Sequence, residues 1–125
     1  MSIGNISISD SEMEIMAVLW NAAQPLTSAE IGEAVEGHGW KKTTIATFLA
    51  RLVEKGAISA EKKGKLYYYT PLIQVEEYRK KEAKTLINKL YHGSVKEFAV
   101  ALFKSEKLSK EDIDELRAIF DNEDK

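Results

Sequence analysis

The chain has 125 residues, 18 Lys or Arg against 20 Asp or Glu, a formal net charge of −2 and no cysteine. That length allows one domain, or one small domain with an appendage, and the missing thiols exclude disulfides and thiolate metal sites. No apolar run approaches the roughly 18 residues needed to span a bilayer. The opening Met-Ser-Ile-Gly-Asn-Ile has no basic start and no sustained apolar stretch, so no signal peptide is expected and the expected compartment is the cytoplasm.

Net acidity argues against a nucleic-acid partner, but the charge is segregated. Residues 1–37 hold six acids and no Lys or Arg, whereas residues 38–70 hold seven Lys or Arg against two Glu. A basic island in an acidic chain implies one face built for a polyanion.

In chain order, Ser9-Asp10-Ser11-Glu12 has capping-box spacing and predicts a helix to about Ala23, with Met13, Met16, Ala17 and Trp20 on one stripe. Pro25 closes it. Thr27-Ser28-Ala29-Glu30 is a second capping box and predicts a short helix to about Glu36, with Ile31 and Val35 inward. Gly37 and Gly39 then break the chain. In the next helix Ile45, Phe48, Leu49, Leu52 and Val53 fall at i, i+3, i+4, i+7 and i+8, one helical face. Its other face carries Lys42, Thr43, Ala46, Thr47, Ala50 and Arg51. Short, hydroxylated and basic side chains allow close approach to a duplex major groove and reach phosphates or base edges. Two short helices around a Gly-containing break form a helix-turn-helix pattern. A basic outer face also fits a merely solvated helix; the neighbouring elements favour recognition.

Gly56 suits the left-handed residue after a helix end. Ala57–Lys62 and Lys65–Thr70 alternate as strands about a Lys63-Gly64 turn, and Pro71 ends the second. Lys62, Lys63 and Lys65 crowd the hairpin tip, with Tyr67 beside them, and such a tip can follow a phosphate backbone. Lysines at a turn also keep a free edge unpaired, but after a recognition-like helix the basic wing is the better reading. The expected DNA-binding set is Lys41, Lys42, Thr43, Thr44, Ala46, Thr47, Arg51, Lys62, Lys63, Lys65 and Tyr67.

A long helix is expected from Val75 to His92, another from Ser94 to about Lys104, and a last one after the Ser109–Asp112 cap. Their stripes run through Tyr78, Leu86 and Leu90, through Phe98 and Leu102, and through Ile113 and Leu116. Such helices cannot bury themselves well alone, so a self-complementary dimer interface is expected of these seven residues; folding back on their own winged helix is the other outlet. The last four residues, 122–125, read as disordered. The fold class is therefore mainly α with a small β-hairpin: a winged helix-turn-helix over residues 1–71 and a helical dimerisation region over 72–125.

The order of elements and several strings resemble the penicillinase-repressor (BlaI/MecI/CopY) family of bacterial transcription regulators. They include Ile8-Ser9-x-x-Glu12, Trp20, Trp40-x-x-x-Thr44-Ile45-x-Thr47-x-x-x-Arg51-Leu52-x-x-Lys55-Gly56, Tyr68-Tyr69, Ile87-Asn88-Lys89-x-Tyr91-x-Gly93 and Leu108-Ser109-x-x-Asp112-Ile113-x-Glu115-Leu116. The resemblance implies a homodimeric repressor that binds a dyad operator in double-stranded DNA. It puts Lys42, Thr43, Thr44 and Thr47 at or beside recognition positions, and Ala46 where many relatives carry a longer polar or basic side chain. Copper sensing through C-terminal cysteine pairs is excluded, since the chain has none. The β-lactam-responsive branch is inactivated by a regulatory protease at an Asn-Phe bond. The matching stretch here is Ala101-Leu102-Phe103, which lacks the Asn and reads as a packed helical stripe.

With only His38 and His92, no Gly-rich phosphate loop and carboxylates mostly at helix starts, neither catalysis nor a metal or cofactor site is expected. A winged helix used as a protein-binding module has no need of the basic island. A repressor gated by a small molecule between its halves remains a further reading, for which the sequence names no ligand.

Overall fold

The structure, a computed structural model, describes residues 6–105 and 109–123, the last helix without the side chains of 116 and 119–123. Among these residues the elements run α1 (Asp10–Asn21), β1 (Leu26–Thr27), α2 (Ser28–Ala34), a 3₁₀ turn (Glu36–His38), α3 (Lys42–Lys55), β2 (Ile58–Lys63), β3 (Leu66–Pro71), α4 (Val75–Tyr91), α5 (Val95–Ser105) and α6 (Lys110–Glu123). The three strands form one antiparallel sheet in the order β1-β3-β2. Residues 122 and 123 are still helical, against the disordered tail expected at 122–125; residues 124–125 lie outside the described residues.

Both expected capping boxes form. The Ser9 hydroxyl accepts from the Glu12 amide while the Glu12 carboxylate accepts from the Ser9 amide, and Thr27 and Glu30 exchange the same pair of bonds. α3 ends in a Schellman arrangement: Gly56, at φ 81°, donates to Val53 O at 3.0 Å and Ala57 donates to Leu52 O at 2.9 Å. A positive φ there favours glycine, which has no Cβ to clash. The turn of the wing falls on Gly64-Lys65, one residue later than expected, because Lys63 pairs with Leu66. Gly64 takes φ 66° and Lys65 does not turn positive, the pattern of a two-residue type II′ hairpin.

The chain divides into two compact units, residues 1–80 and 81–125. The core of the first is built by Ile15, Met16 and Leu19 of α1, Ile31 and Val35 around α2, Ile45, Leu49 and Leu52 of α3, and Ala57, Ile58, Ile73 and Tyr78. This corrects the boundary expected after residue 71. Pro71 ends a strand but not the core: the Trp20 indole donates to Ile73 O at 2.9 Å, and the Tyr78 hydroxyl accepts from the Ile8 amide at 3.1 Å.

Tyr78 therefore leaves the expected dimerisation set. Only 3% exposed, it packs its ring 6.2 Å from that of Trp20 and belongs to the winged-helix core. Its spacing to Leu86 matches one helix face, but its hydroxyl finds its partner in the Ile8 amide of the first unit.

One charged residue sits within this core. Glu12 is 1% exposed, and it pairs with Lys55 at the far end of α3. Burial pushes its carboxyl up, but the Lys55 hydrogen bond, the Ser9 amide and the Lys55 charge together outweigh that and hold it below the ordinary value of 4.5.

In the second unit no described side chain is buried. Leu86, Leu90, Val100, Leu102 and Phe103 all stand substantially in water. The packed stripe expected at Ala101–Phe103 is thus not packed within one chain: Ala101 is half-buried, and Leu102 and Phe103 are exposed. α4 ends with two left-handed residues, His92 (φ 50°) and Gly93 (φ 83°). Ser94 and Ser109 cap the next two helices by accepting from the amides of Glu97 and Asp112.

Two outcomes follow for stability. Lys55→Met should cost about 2 kcal/mol, less than the ~3–5 of a fully buried pair, because a third of Lys55 stays in water. Since the folded Glu12 is depressed, its contribution is complete above the unfolded value and is lost as pH falls through the folded one. Acid denaturation should therefore be steeper for the wild type than for Glu12→Gln, as read by urea melts between neutral pH and pH 3. Separately, a fragment of residues 1–80 should fold on its own, whereas a fragment cut after residue 71, missing Ile73 and Tyr78, should show a lower or absent thermal transition by circular dichroism.

Candidate nucleic-acid interface

α3 buries Ile45, Leu49 and Leu52, packs the half-buried Phe48 against the same core, and turns its outer face to water. Lys41 at the N-cap and Lys42, Thr43, Ala46, Thr47, Ala50 and Arg51 are exposed, as one continuous face requires. Thr44 is only half-buried, about 100° round the helix from Thr43 towards the apolar stripe. It belongs to the edge of the face. Glu54, one turn beyond Ala50, is exposed too, which limits the basic surface to the first turns of α3.

The Thr47 hydroxyl donates to Thr43 O at 3.0 Å. With that proton committed to the helix, Thr47 offers outward an acceptor oxygen and a methyl group, which suit a base amine and a thymine methyl. Ala46 contributes only a methyl group, and beside it a groove of about 500 Å³ opens between α2 and α3, lined among others by Ser28, Gly32, Glu33, Trp40 and Ile45.

The wing brings the second basic group. Lys62, Lys63 and Lys65 are all exposed around the Gly64 turn, with Tyr67 half in water beside them. Lys63 Nζ stands 5.9 Å over the Tyr68 ring, so its charge leans on an aromatic face rather than on a carboxylate. Among the described residues, no ion pair neutralises any cation of α3's outer face or of the wing, and a polyanion would meet them unmasked.

Sequence reasoning missed the support behind this face. His38 stacks on Trp40 at the start of α3; the signal was the His-Gly-Trp string, in which a glycine lets two rings meet. It also missed β1, whose two residues pair with Tyr68 and Tyr69 and so tie the start of α2 to the wing. Among the described residues no group of three His, Asp or Glu gathers as a metal site, and no helix is long and apolar enough to cross a membrane.

A helix-turn-helix whose third helix is followed by a basic two-stranded wing defines the winged-helix class. The family model described as penicillinase repressor matches residues 8–122. A penicillinase repressor of Bacillus licheniformis is 33% identical over 114 residues, 91% of this chain and 89% of the relative. The methicillin resistance regulatory protein MecI of Staphylococcus aureus strain N315 is 32% identical over 112 residues, 90% of this chain and 91% of that one. Two solved structures share the fold. The DNA-binding domain of the repressor BlaI superposes with a TM-score of 0.54 at 35% identity, covering 62% of this chain and 94% of that domain. Monomeric B. licheniformis BlaI, solved in complex with the blaP half-operator, gives 0.50 at 36% identity over 58% of this chain and 88% of that one. The chain belongs to the penicillinase repressor family.

Proposed function

We propose that this chain is a homodimeric transcriptional repressor that binds a dyad operator in double-stranded DNA and is released by a signal acting on its C-terminal unit. The observation that carries the DNA reading is the unmasked basic face of α3 next to the lysine-tipped wing, on a fold shared with a BlaI solved on a half-operator. In this reading Thr43 and Thr47 meet base edges, with Ala46 close enough for the backbone to approach. Lys41, Lys42 and Arg51 flank them on phosphates, and Lys62, Lys63, Lys65 and Tyr67 follow the neighbouring backbone from the wing. The same basicity weighs against a protein-binding module. The role is one of binding, without catalysis, in the compartment that holds the DNA.

Thr43→Ala or Thr47→Ala should narrow the gap between operator and random duplex by ~1–3 kcal/mol for a lost base contact. Lys63→Ala and Lys65→Ala should instead weaken both duplexes alike and flatten the salt dependence by about one unit per lost phosphate contact. Fluorescence anisotropy across a salt series separates the two; wing variants with unaltered affinity and slope would take the wing off the DNA.

Dimerisation through the second unit is supported by the absence of any buried described side chain there and by the exposed stripe of Leu86, Leu90, Leu102 and Phe103. Phe98 and Ile113, half-buried, lie on the companion stripes of α5 and α6, and the Leu116 side chain lies outside the described residues. Burying Leu90 and its neighbours against a second copy at ~25 cal/mol per Å² is the outlet that the chain itself does not provide. Leu86→Glu with Leu90→Glu should give a monomer by sedimentation at micromolar concentration, and operator affinity should fall toward that of one half-site as the linked second contact is lost. A double variant that stays dimeric would move the interface elsewhere. Release by cutting near Ala101–Phe103 would remove α6 from that interface, although the bond there has no Asn.

A further inference from the structure

α3 starts without the devices that fix the starts of α1 and α2. Its N-cap, Lys41, makes no side-chain capping bond and its first turn holds no acid, whereas α1 and α2 both carry reciprocal Ser/Thr–Glu boxes. Yet this is the turn that carries Lys42 and Thr43, with Ala46 and Thr47 one turn on. A start that must read bases cannot fray.

What holds it is a stack of rings. Gly39 takes φ 69°, which reverses the chain between His38 and Trp40. Their rings then lie nearly parallel, 11° apart in plane and 4.4 Å between centroids. Trp40 meets Phe48 edge-on at 5.1 Å and 74°, and Phe48 packs on the core cluster. On the other side, His38 Nε2 stands 3.4 Å from Glu14 Oε2 of α1. A hydrophobic staple ordinarily joins the residue before the N-cap to the fourth helical residue. Here Trp40 reaches Phe48, nearly a turn further along, so one side chain spans the segment that presents Thr43 and Thr47.

We propose that Trp40 is a positioning residue for sequence reading: stacked on His38 and braced on Phe48, it fixes the first two turns of α3, so that discrimination between duplexes depends on it and general attraction to DNA does not. The inference rests on the DNA reading above. The physical reason lies in the range of the two forces. Lysine–phosphate attraction acts over about 8 Å at physiological salt and tolerates a displaced helix. Base-edge hydrogen bonds weaken steeply with distance and angle and do not.

The test uses the full chain. Wild-type protein selects duplexes from a randomised library, and each variant is then titrated with the selected duplex and with a scrambled one of equal length. Trp40→Ala should lose about tenfold or more in affinity for the selected duplex, as for a lost base contact. Its affinity for the scrambled duplex should change by about twofold at most, with the same salt slope. Trp40→Phe should recover most of the loss. His38→Ala, at an exposed site outside the core, should lower the selected-to-scrambled ratio several-fold while lowering the thermal midpoint only slightly. Equal losses on both duplexes for Trp40→Ala would overturn the proposal, as would an unchanged ratio. If Trp40→Ala failed to fold, His38→Ala would decide in its place, an unchanged ratio overturning the proposal. A wild type that selects no duplex would overturn the DNA reading itself, which distinguishes that failure from one of positioning alone.

Discussion

A carboxylate taken out of water next to a hydrophobic cluster is costly unless it is paired and hydrogen-bonded. Glu12 meets that condition through Oε1, which accepts from the Ser9 amide, closing the first turn of α1, and pairs with Lys55 at the end of α3. The pair couples two helices that are distant in sequence, and it locates the C-terminal end of α3. Between that end and the ring stack at Trp40 lies the stripe of Ile45, Leu49 and Leu52, buried among α1, α2 and the first strand of the wing. The helix is thus held at both ends and along one side, by three different kinds of interaction. Only its outer face is free, and that face carries the basic and hydroxylated residues.

The same arrangement explains how an acidic chain presents a basic surface. Three of the six acids in the first 37 residues serve structure: Glu12 and Glu30 close caps, Glu12 also pairs with Lys55 at the inner end of α3, and Glu14 faces His38. They are not spent on neutralising the outer face of α3 or the wing. Because fields are screened over about a Debye length, a duplex lying on α3 responds to the local cations more than to the net charge of −2. An acidic remainder also lowers attraction to DNA in other orientations. That favours one docking pose.

What could be read from the sequence was what periodicity and local chemistry determine. Four of the five apolar positions of α3 (all but Val53, which the structure leaves exposed), both capping boxes, Gly56 and the lysine-rich turn each declare themselves within a few residues. What could not be read was decided by partners far along the chain. β1 has two residues and no period of its own, and exists because Leu26 and Thr27 meet Tyr69 and Tyr68. Tyr78 shares a helix face with Leu86, yet the Ile8 amide and the Trp20 ring draw it into the first unit. Pro71 marked the end of a strand correctly and the end of a domain wrongly, since Ile73 still lies under Trp20. His38 has no period or cap to place it, and only the turn at Gly39 brings its ring onto Trp40.

The second unit poses the opposite problem, since its helices are well capped and yet bury no described side chain. Caps of this kind contribute about 1 kcal/mol each, which stabilises helices but does not hold them against one another. In the proposed dimer this unit would acquire its core by association, and its order would then be linked to the concentration of its partner. That would make the C-terminal helices a natural place for a signal to act. Leu102 and Phe103 lie open in the single chain; in the proposed dimer a second copy would cover them, so whatever loosens the pair would also expose the proposed cleavage segment. Proteolysis also needs the helix unwound, and α5 unwinds more readily once its apolar side has lost its cover. Exposure of the bond, loss of the interface and loss of the linked second half-site would then be steps in one process, each making the next easier.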